Sequence, residues 1–172
     1  MTTFDLRTLR LRPSDERRID REVDLQPLAL GGQEYVPEPQ TVPTALTVAQ
    51  AVGGRLLTLR FQTRLSGPCM RCLAPAALDL RIRATEYDDE EAGKRPGEDT
   101  STIYVVDDVL ELSQWAHDEV ALALPEQILC KPACAGLCPD CGKDLNVEPH
   151  THEDVTVDPR WEALADIRDL LA

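Results

Sequence analysis

The sequence predicts an α+β fold: an antiparallel β-sheet able to curl towards a barrel, with a long helix, a Cys-rich zinc-binding segment and a short C-terminal helix. Three features of the 172 residues carry that expectation. Two stretches alternate apolar with polar residues, one stretch repeats apolar residues at helical spacing, and all six cysteines fall in two places. Alternation marks a half-buried strand, and a three-to-four spacing marks a helix with one buried stripe.

Along the chain, residues 1–22 set six Arg and five acids around Leu6, Leu9 and Leu11 and read as a strand or edge element. Residues 31–43 hold two Gly together with Pro37, Pro39 and Pro43, and read as loop. Residues 57–65 (LTLRFQTRL) form a first alternating strand that Ser66-Gly67-Pro68 should end, and residues 78–84 (LDLRIRA) form a second. The simplest pairing is a hairpin whose connection carries Cys69 and Cys72. Residues 88–101 are acidic, nearly without apolar side chains, and read as a linker whose charge serves solvation. A short strand over 102–106 follows. Asp108 with Glu111 then offers a capping box for a helix bearing Leu112, Trp115, Ala116, Val120, Ala123 and Leu124, closed by Pro125. Asp158-Pro159 reads as the start of the last helix, with Trp161, Leu164 and Leu171 on one face. These elements divide the chain into a β-rich domain, 1–125, with the CxxC hairpin and closing helix, and a Cys/His-rich metal-binding segment with the C-terminal helix, 126–172, packed on the first as one unit.

Composition narrows the function. Hydrophobic residues make up 42% and aromatic ones 4%, which gives a core of Leu, Val and Ala. The longest apolar run, residues 120–124, is five residues long against the roughly 20 that span a bilayer. The N-terminus lacks a charged-then-apolar signal pattern. The expectation is a cytoplasmic protein with no membrane partner and no small-molecule substrate. A net charge of −13 argues against a general nucleic-acid coat. In a reducing compartment, cysteines point to metal or redox chemistry before disulfides.

Cys69-Met70-Arg71-Cys72 is one cysteine run; Cys130, Cys134, Cys138 and Cys141 form the other, followed by His150 and His152. Six thiols and two imidazoles make eight donors, enough for one or two four-coordinate structural zinc ions. In Cys138-Pro139-Asp140-Cys141-Gly142 the proline stiffens the turn and the glycine can take positive φ. Three groupings are open. Cys69 and Cys72 can join Cys130 and Cys134, with Cys138 and Cys141 joining His150 and His152. The four later cysteines can instead share one ion, or Cys69 and Cys72 can join Cys138 and Cys141 in a ribbon. His150 and His152 can alternatively be plain loop residues, and His117 reads as a solvated helix residue. Four protein ligands leave no open position, so such a metal is not catalytic. No nucleophilic triad order, phosphate loop or HExxH helix is present, and the chain does not read as an enzyme. The competing reading of Cys69 and Cys72 is a redox dithiol; that motif usually opens a helix after a strand, whereas here it lies between strands.

One basic island stands out: residues 55–83 contain six Arg against the single acid Asp79. Strand parity puts Arg60, Arg64, Arg81 and Arg83 opposite the apolar side chains, with Arg71 at the knuckle. Such a face suits phosphate contacts, although an ordinary solvated sheet face has the same pattern.

Cys69-x-Arg71-Cys72-Leu73, Ala123-Leu124-Pro125, Cys134-Ala135-Gly136-Leu137-Cys138-Pro139-x-Cys141-Gly142-x-Asp144-Leu145-Asn146 and Asp158-Pro159-Arg160 together resemble the YceD family of large ribosomal RNA subunit accumulation proteins, bacterial and chloroplast. The resemblance covers roughly residues 20–172 and is strongest in GLCPxCGxDLN. It implies a non-enzymatic role in synthesis, processing or stability of large-subunit ribosomal RNA, with that RNA or a pre-ribosomal particle as partner. Members often carry C-x-C where this chain has His150-x-His152. The alternatives are a thiol redox enzyme or sensor using Cys69 and Cys72, or a chaperone for a ribosomal protein whose basic charge the acidic remainder would receive.

Overall fold

The computed structural model describes residues 1–89 and 102–152. Its contacts divide the chain into two compact units, Met1–Cys134 and Ala135–Ala172.

In the first unit, β1 (Phe4–Asp5) leads through a 3-10 turn (Leu6–Leu9) to β2 (Glu16–Asp24). β3 (Leu28–Leu30), β4 (Gln33–Pro37), β5 (Thr41–Ala51), β6 (Gly54–Pro68) and β7 (Pro75–Asp89) follow. The short strands β8 (Val105–Val106) and β9 (Val109–Leu110) then precede α1 (Leu112–Leu122). The main sheet is antiparallel, in the order β2-β5-β6-β4-β3, with β7 along the other edge of β6. β5 covers the first half of that β6 edge, Gly54 to Phe61, and β4 covers the second at Leu65 and Ser66. β2 and β7 lie on opposite edges and do not pair, so the sheet is open and the expected curl into a closed barrel does not occur.

Alternation builds the core. Leu57, Leu59, Phe61 and Leu65 of β6, Leu80, Ile82 and Ala84 of β7, and Val42, Leu46 and Val48 of β5 are buried on one face. Against the same core lie Leu112, Trp115, Ala116 and Val120 of α1. One face of the sheet is therefore covered and the other meets solvent, as alternating antiparallel strands allow.

Several expectations need correcting. The helix is short, 11 residues, and it does not start at Asp108. Asp107 and Asp108 have φ of 51° and 63° and form the two-residue turn between β8 and β9, a turn that demands positive φ at both positions. Glu111 is the N-cap but makes no side-chain cap; the N–H of Ser113 donates instead to the carbonyl of Thr2 at 3.1 Å. A contact with the chain just before β1 thus replaces the capping box. Residues 31–43 are mostly strand rather than loop, because β4 and the start of β5 take their hydrogen bonds from β6 and β2. Ser66-Gly67-Pro68 does not end β6, which stays paired with β7 up to Pro68 opposite Pro75. Gly67 is needed there: a Cβ on it would stand 2.4 Å from Tyr35 Cδ1. The strand expected over 102–106 shrinks to Val105–Val106, and Asp88 and Asp89 belong to β7. The rest of the expected linker and the C-terminal helix lie outside the described residues.

Candidate metal centres and an arginine face

The β6–β7 hairpin closes through a knuckle. Cys69 N–H donates to the carbonyl of Ala74 at 2.7 Å, and Leu73 N–H donates to the carbonyl of Cys69 at 3.0 Å. The segment after α1 is tied back to it, since Met70 N–H donates to the Ile128 carbonyl at 2.9 Å and Ile128 is buried. Arg71 adds a second tie: Nε donates to Gln127 Oε1 at 2.9 Å and Nη1 to the carbonyl of Cys134 at 3.1 Å. The knuckle and this returning segment bring Cys69, Cys72, Cys130 and Cys134 together, with all four sulfurs within 4.8 Å of one another.

The spacing fits an ion. Sulfurs about 2.3 Å from one zinc stand about 3.8 Å apart along the edges of a tetrahedron. Cys69 and Cys134 Sγ are 3.7 Å apart, and Cys72 and Cys130 Sγ are 3.6 Å apart. A disulfide would need about 2.05 Å, and all six cysteines are free. Burial opposes ionisation of Cys69, yet the backbone N–H groups of Cys130, Cys72 and Arg71 hold its thiol down at about 6. Cys72 gains from the backbone at Ala74, but burial and the neighbouring thiols push it up to about 12. Zinc binds thiolates, so each of these thiols would give up its proton on ligating an ion.

In the second unit the same local construction recurs. Cys138 N–H donates to the Lys143 carbonyl at 2.8 Å and Gly142 N–H to the Cys138 carbonyl at 2.9 Å, with Gly142 at φ 73°. Cys138, Cys141, His150 and His152 form a second four-donor cluster within 4.8 Å. His150 Nδ1–H donates to the Glu148 carbonyl at 2.7 Å, which fixes the tautomer and leaves Nε2, 3.1 Å from Cys141 Sγ, with a lone pair that can accept a proton or ligate an ion. A backbone carbonyl behind the ring is the usual support of a metal-binding imidazole. The backbone at Cys141 lowers the Cys138 thiol, against burial, to about 6. Both clusters are geometrically able to hold a metal ion, and their grouping is the first of the three open from sequence. His117 stands apart, beside Asp118 at 3.4 Å.

On the uncovered face of the sheet, register sets the arginines side by side. Arg60 lies directly opposite Arg83, Gln62 opposite Arg81 and Arg64 opposite Asp79. Arg64 is taken: Nε and Nη2 donate to the two Asp79 carboxylate oxygens at 2.7 and 2.8 Å. Arg60, Arg81 and Arg83 are exposed and have no ion pair or side-chain hydrogen bond among the described residues. They border an open groove of about 840 Å³ whose other side, on β2, alternates Arg18, Asp20, Arg21 and Glu22. Asp20 and Glu22 were missed from sequence; their alternation with Arg18 and Arg21 was the available signal. Arg55, counted in the basic island, is instead buried and bonded to Asp88 and Asp108.

The family model described as large ribosomal RNA subunit accumulation protein YceD matches residues 57–168. The chain belongs to the YceD family. The YceD match opens in β6 and takes in all eight sulfur and imidazole donors and Arg60, Arg64, Arg71, Arg81 and Arg83. Proteins of Mycobacterium tuberculosis and Mycobacterium bovis, each named only as uncharacterized, are 37% identical over 126 residues, 71% of this chain and 59% of theirs. A Mycobacterium leprae protein, also named as uncharacterized, is 33% identical over 102 residues, 58% of this chain and 46% of its own. This YceD chain thus matches less than two thirds of the length of these curated relatives. No solved structure matches it significantly. No helix among the described residues is long and apolar enough to cross a membrane.

Proposed function

We propose that this chain is a non-enzymatic factor in the accumulation of large-subunit ribosomal RNA, and that it binds RNA within a pre-ribosomal particle through Arg60, Arg81 and Arg83. The observation that carries this is the Arg60–Arg83 pair. Like charges directly opposite on neighbouring strands destabilise a sheet, and here no acid relieves them among the described residues. Exposed guanidiniums held on a rigid sheet suit phosphate, which they can meet with two parallel hydrogen bonds. Membership of a family named for large-subunit RNA supports the same reading.

Zinc in the two clusters would act as structural staples. The Cys69 cluster would hold the hairpin tip to the segment after α1, with Arg71 as a supporting tie rather than a free phosphate ligand. Burial weighs against the redox reading: Cys69 is 0% and Cys72 8% exposed, whereas reactive dithiols are partly exposed.

Replacing Arg60, Arg81 and Arg83 together by Glu should leave the far-ultraviolet circular dichroism and the metal content unchanged and abolish co-sedimentation with large-subunit precursors. Arg64→Gln, already neutralised by Asp79, should change co-sedimentation little. Retained co-sedimentation of the triple variant overturns the assignment.

A further inference from the structure

On the uncovered face of the sheet, the paired strands β6 and β7 carry three kinds of side chain in succession. Leu56 stands opposite Tyr87, Thr58 opposite Thr85, and Arg60 opposite Arg83. Each pair lies two residues from the next, about 6.6–6.8 Å along the strands. Parity puts all six side chains on the face away from the core. An aromatic ring, two hydroxyls and two guanidiniums therefore follow one another along a single strip.

Tyr87 is fixed in place on that strip. Its hydroxyl donates to the carbonyl of Val52, in the β5–β6 turn, at 3.0 Å. A Cβ on Gly54 would stand 2.8 Å from Tyr87 Oη and 2.9 Å from Cζ, so the ring tip rests where only a glycine leaves room. The residue is half-buried, and part of it meets solvent beside Leu56, which is 41% exposed. Thr58 and Thr85 make no side-chain hydrogen bond among the described residues. On these two strands the acids of the same face stand apart from the arginine pair. Asp79 is held by Arg64, and Asp89, opposite Gly54, lies beyond Tyr87 at the far end. Asp20 and Glu22 belong to β2, two strands from β6.

A nucleotide presents base, ribose and phosphate in the same succession. Aromatic side chains stack on unpaired bases, and they do so with any sequence because every base has a π-face. The ribose 2′-hydroxyl donates and accepts, as a threonine hydroxyl does, and DNA lacks it. Guanidiniums meet phosphate oxygens with paired hydrogen bonds. A base inside a duplex has both faces covered by its neighbours and offers none to Tyr87.

We propose that this strip binds single-stranded RNA, with Tyr87 stacking on a base, Thr58 and Thr85 bonding a ribose 2′-hydroxyl, and Arg60 and Arg83 holding phosphate. This rests on the RNA-binding reading above and adds to it a strand type, a sugar selectivity and three residues besides the arginines.

Fluorescence anisotropy of the metal-loaded protein tests it with oligo(A) RNA, oligo(dA) DNA and an RNA duplex. The wild type should bind oligo(A) RNA at least about five-fold tighter than the DNA, and the duplex more weakly than the single-stranded RNA. Thr58→Val with Thr85→Val keeps the shape of both side chains and should bring the RNA-to-DNA ratio towards one. Tyr87→Leu should weaken both single strands about ten-fold, whereas Tyr87→Phe, which keeps the ring, should stay within about two-fold of the wild type. Circular dichroism and metal content check each fold; should Tyr87→Leu disturb either, the threonine variant and the Phe variant still decide. If the threonines serve only the sheet, the RNA-to-DNA ratio survives their replacement, which overturns the proposal. Equal affinity for RNA and DNA in the wild type, preferential duplex binding, or unchanged binding by a folded Tyr87→Leu also overturns it while leaving nucleic-acid binding intact. Absence of binding to all three ligands overturns the RNA reading itself.

Discussion

Leu73 in the first knuckle stands where Gly142 stands in the second. Each donates its N–H to the carbonyl of the cysteine four residues earlier, at 3.0 and 2.9 Å, and each has positive φ, 61° and 73°. Glycine enters that conformation freely, whereas a leucine Cβ crowds the following carbonyl at a cost of about 1–2 kcal/mol. Leu73 is 56% exposed, so little packing offsets this. Leu73→Gly in the metal-loaded protein should raise stability by about 1 kcal/mol, and Gly142→Ala should lower it by a similar amount. Urea midpoints measure both; a lower midpoint for Leu73→Gly contradicts the shared knuckle geometry.

The two metal clusters should release zinc in two separate phases. In the first cluster Cys69, Cys72 and Cys134 are buried and Cys130 is exposed, whereas in the second Cys138 alone is buried and Cys141 and His152 are exposed. A chelator reaches the second cluster first, and four thiolates bind zinc with more charge than two thiolates and two neutral imidazoles. Native mass spectrometry during chelation should pass through a one-zinc species. Cys141→Ser should remove the fast phase, and Cys72→Ser the slow one. Zinc binding contributes about 10–16 kcal/mol in small metal-folded peptides, so loss of the slow ion should also loosen the hairpin tip.

Thr63 Oγ1 is buried on the inner face of β6 without a hydrogen-bond partner among the described residues. A hydroxyl left unpaired in an apolar layer is destabilising, and valine has the same shape without it. Thr63→Val should raise the denaturation midpoint, by about 1 kcal/mol in free energy, without altering metal content.

Gly67→Ala should do the reverse. Its new methyl would meet Tyr35 Cδ1 at 2.4 Å, Tyr35 Cε1 at 2.8 Å and the Glu34 carbonyl at 2.9 Å. Tyr35 is fully buried and its hydroxyl donates to the Pro68 carbonyl at 2.7 Å, so the ring has no room to yield. Overpacking of this kind costs about 1–3 kcal/mol. Because Pro68 leads directly into Cys69, slower zinc uptake should accompany the loss.

Local chemistry made part of this protein legible from its residues alone. The period-two run around Leu57, Leu59 and Phe61 marks a strand whatever surrounds it, because side chains alternate across a pleat. The CxxC spacing and Gly142 mark the knuckles for the same local reason. Parity places Arg60, Arg64, Arg81 and Arg83 on one face, since each lies an even number of residues from its neighbour on the strand. Tertiary structure decided the rest. Whether Cys69 meets Cys130 or Cys138 depends on where the chain after α1 returns, set by Met70 and Arg71 bonding to Ile128, Gln127 and Cys134. Register, not parity, gives Arg64 the Asp79 carboxylate and leaves Arg60 facing Arg83. Asp108 has the composition of a helix cap, but the β8–β9 turn claims its backbone and Arg55 its carboxylate. Such outcomes turn on partners distant in sequence, and a linear pattern records only what each residue prefers before its competitors arrive.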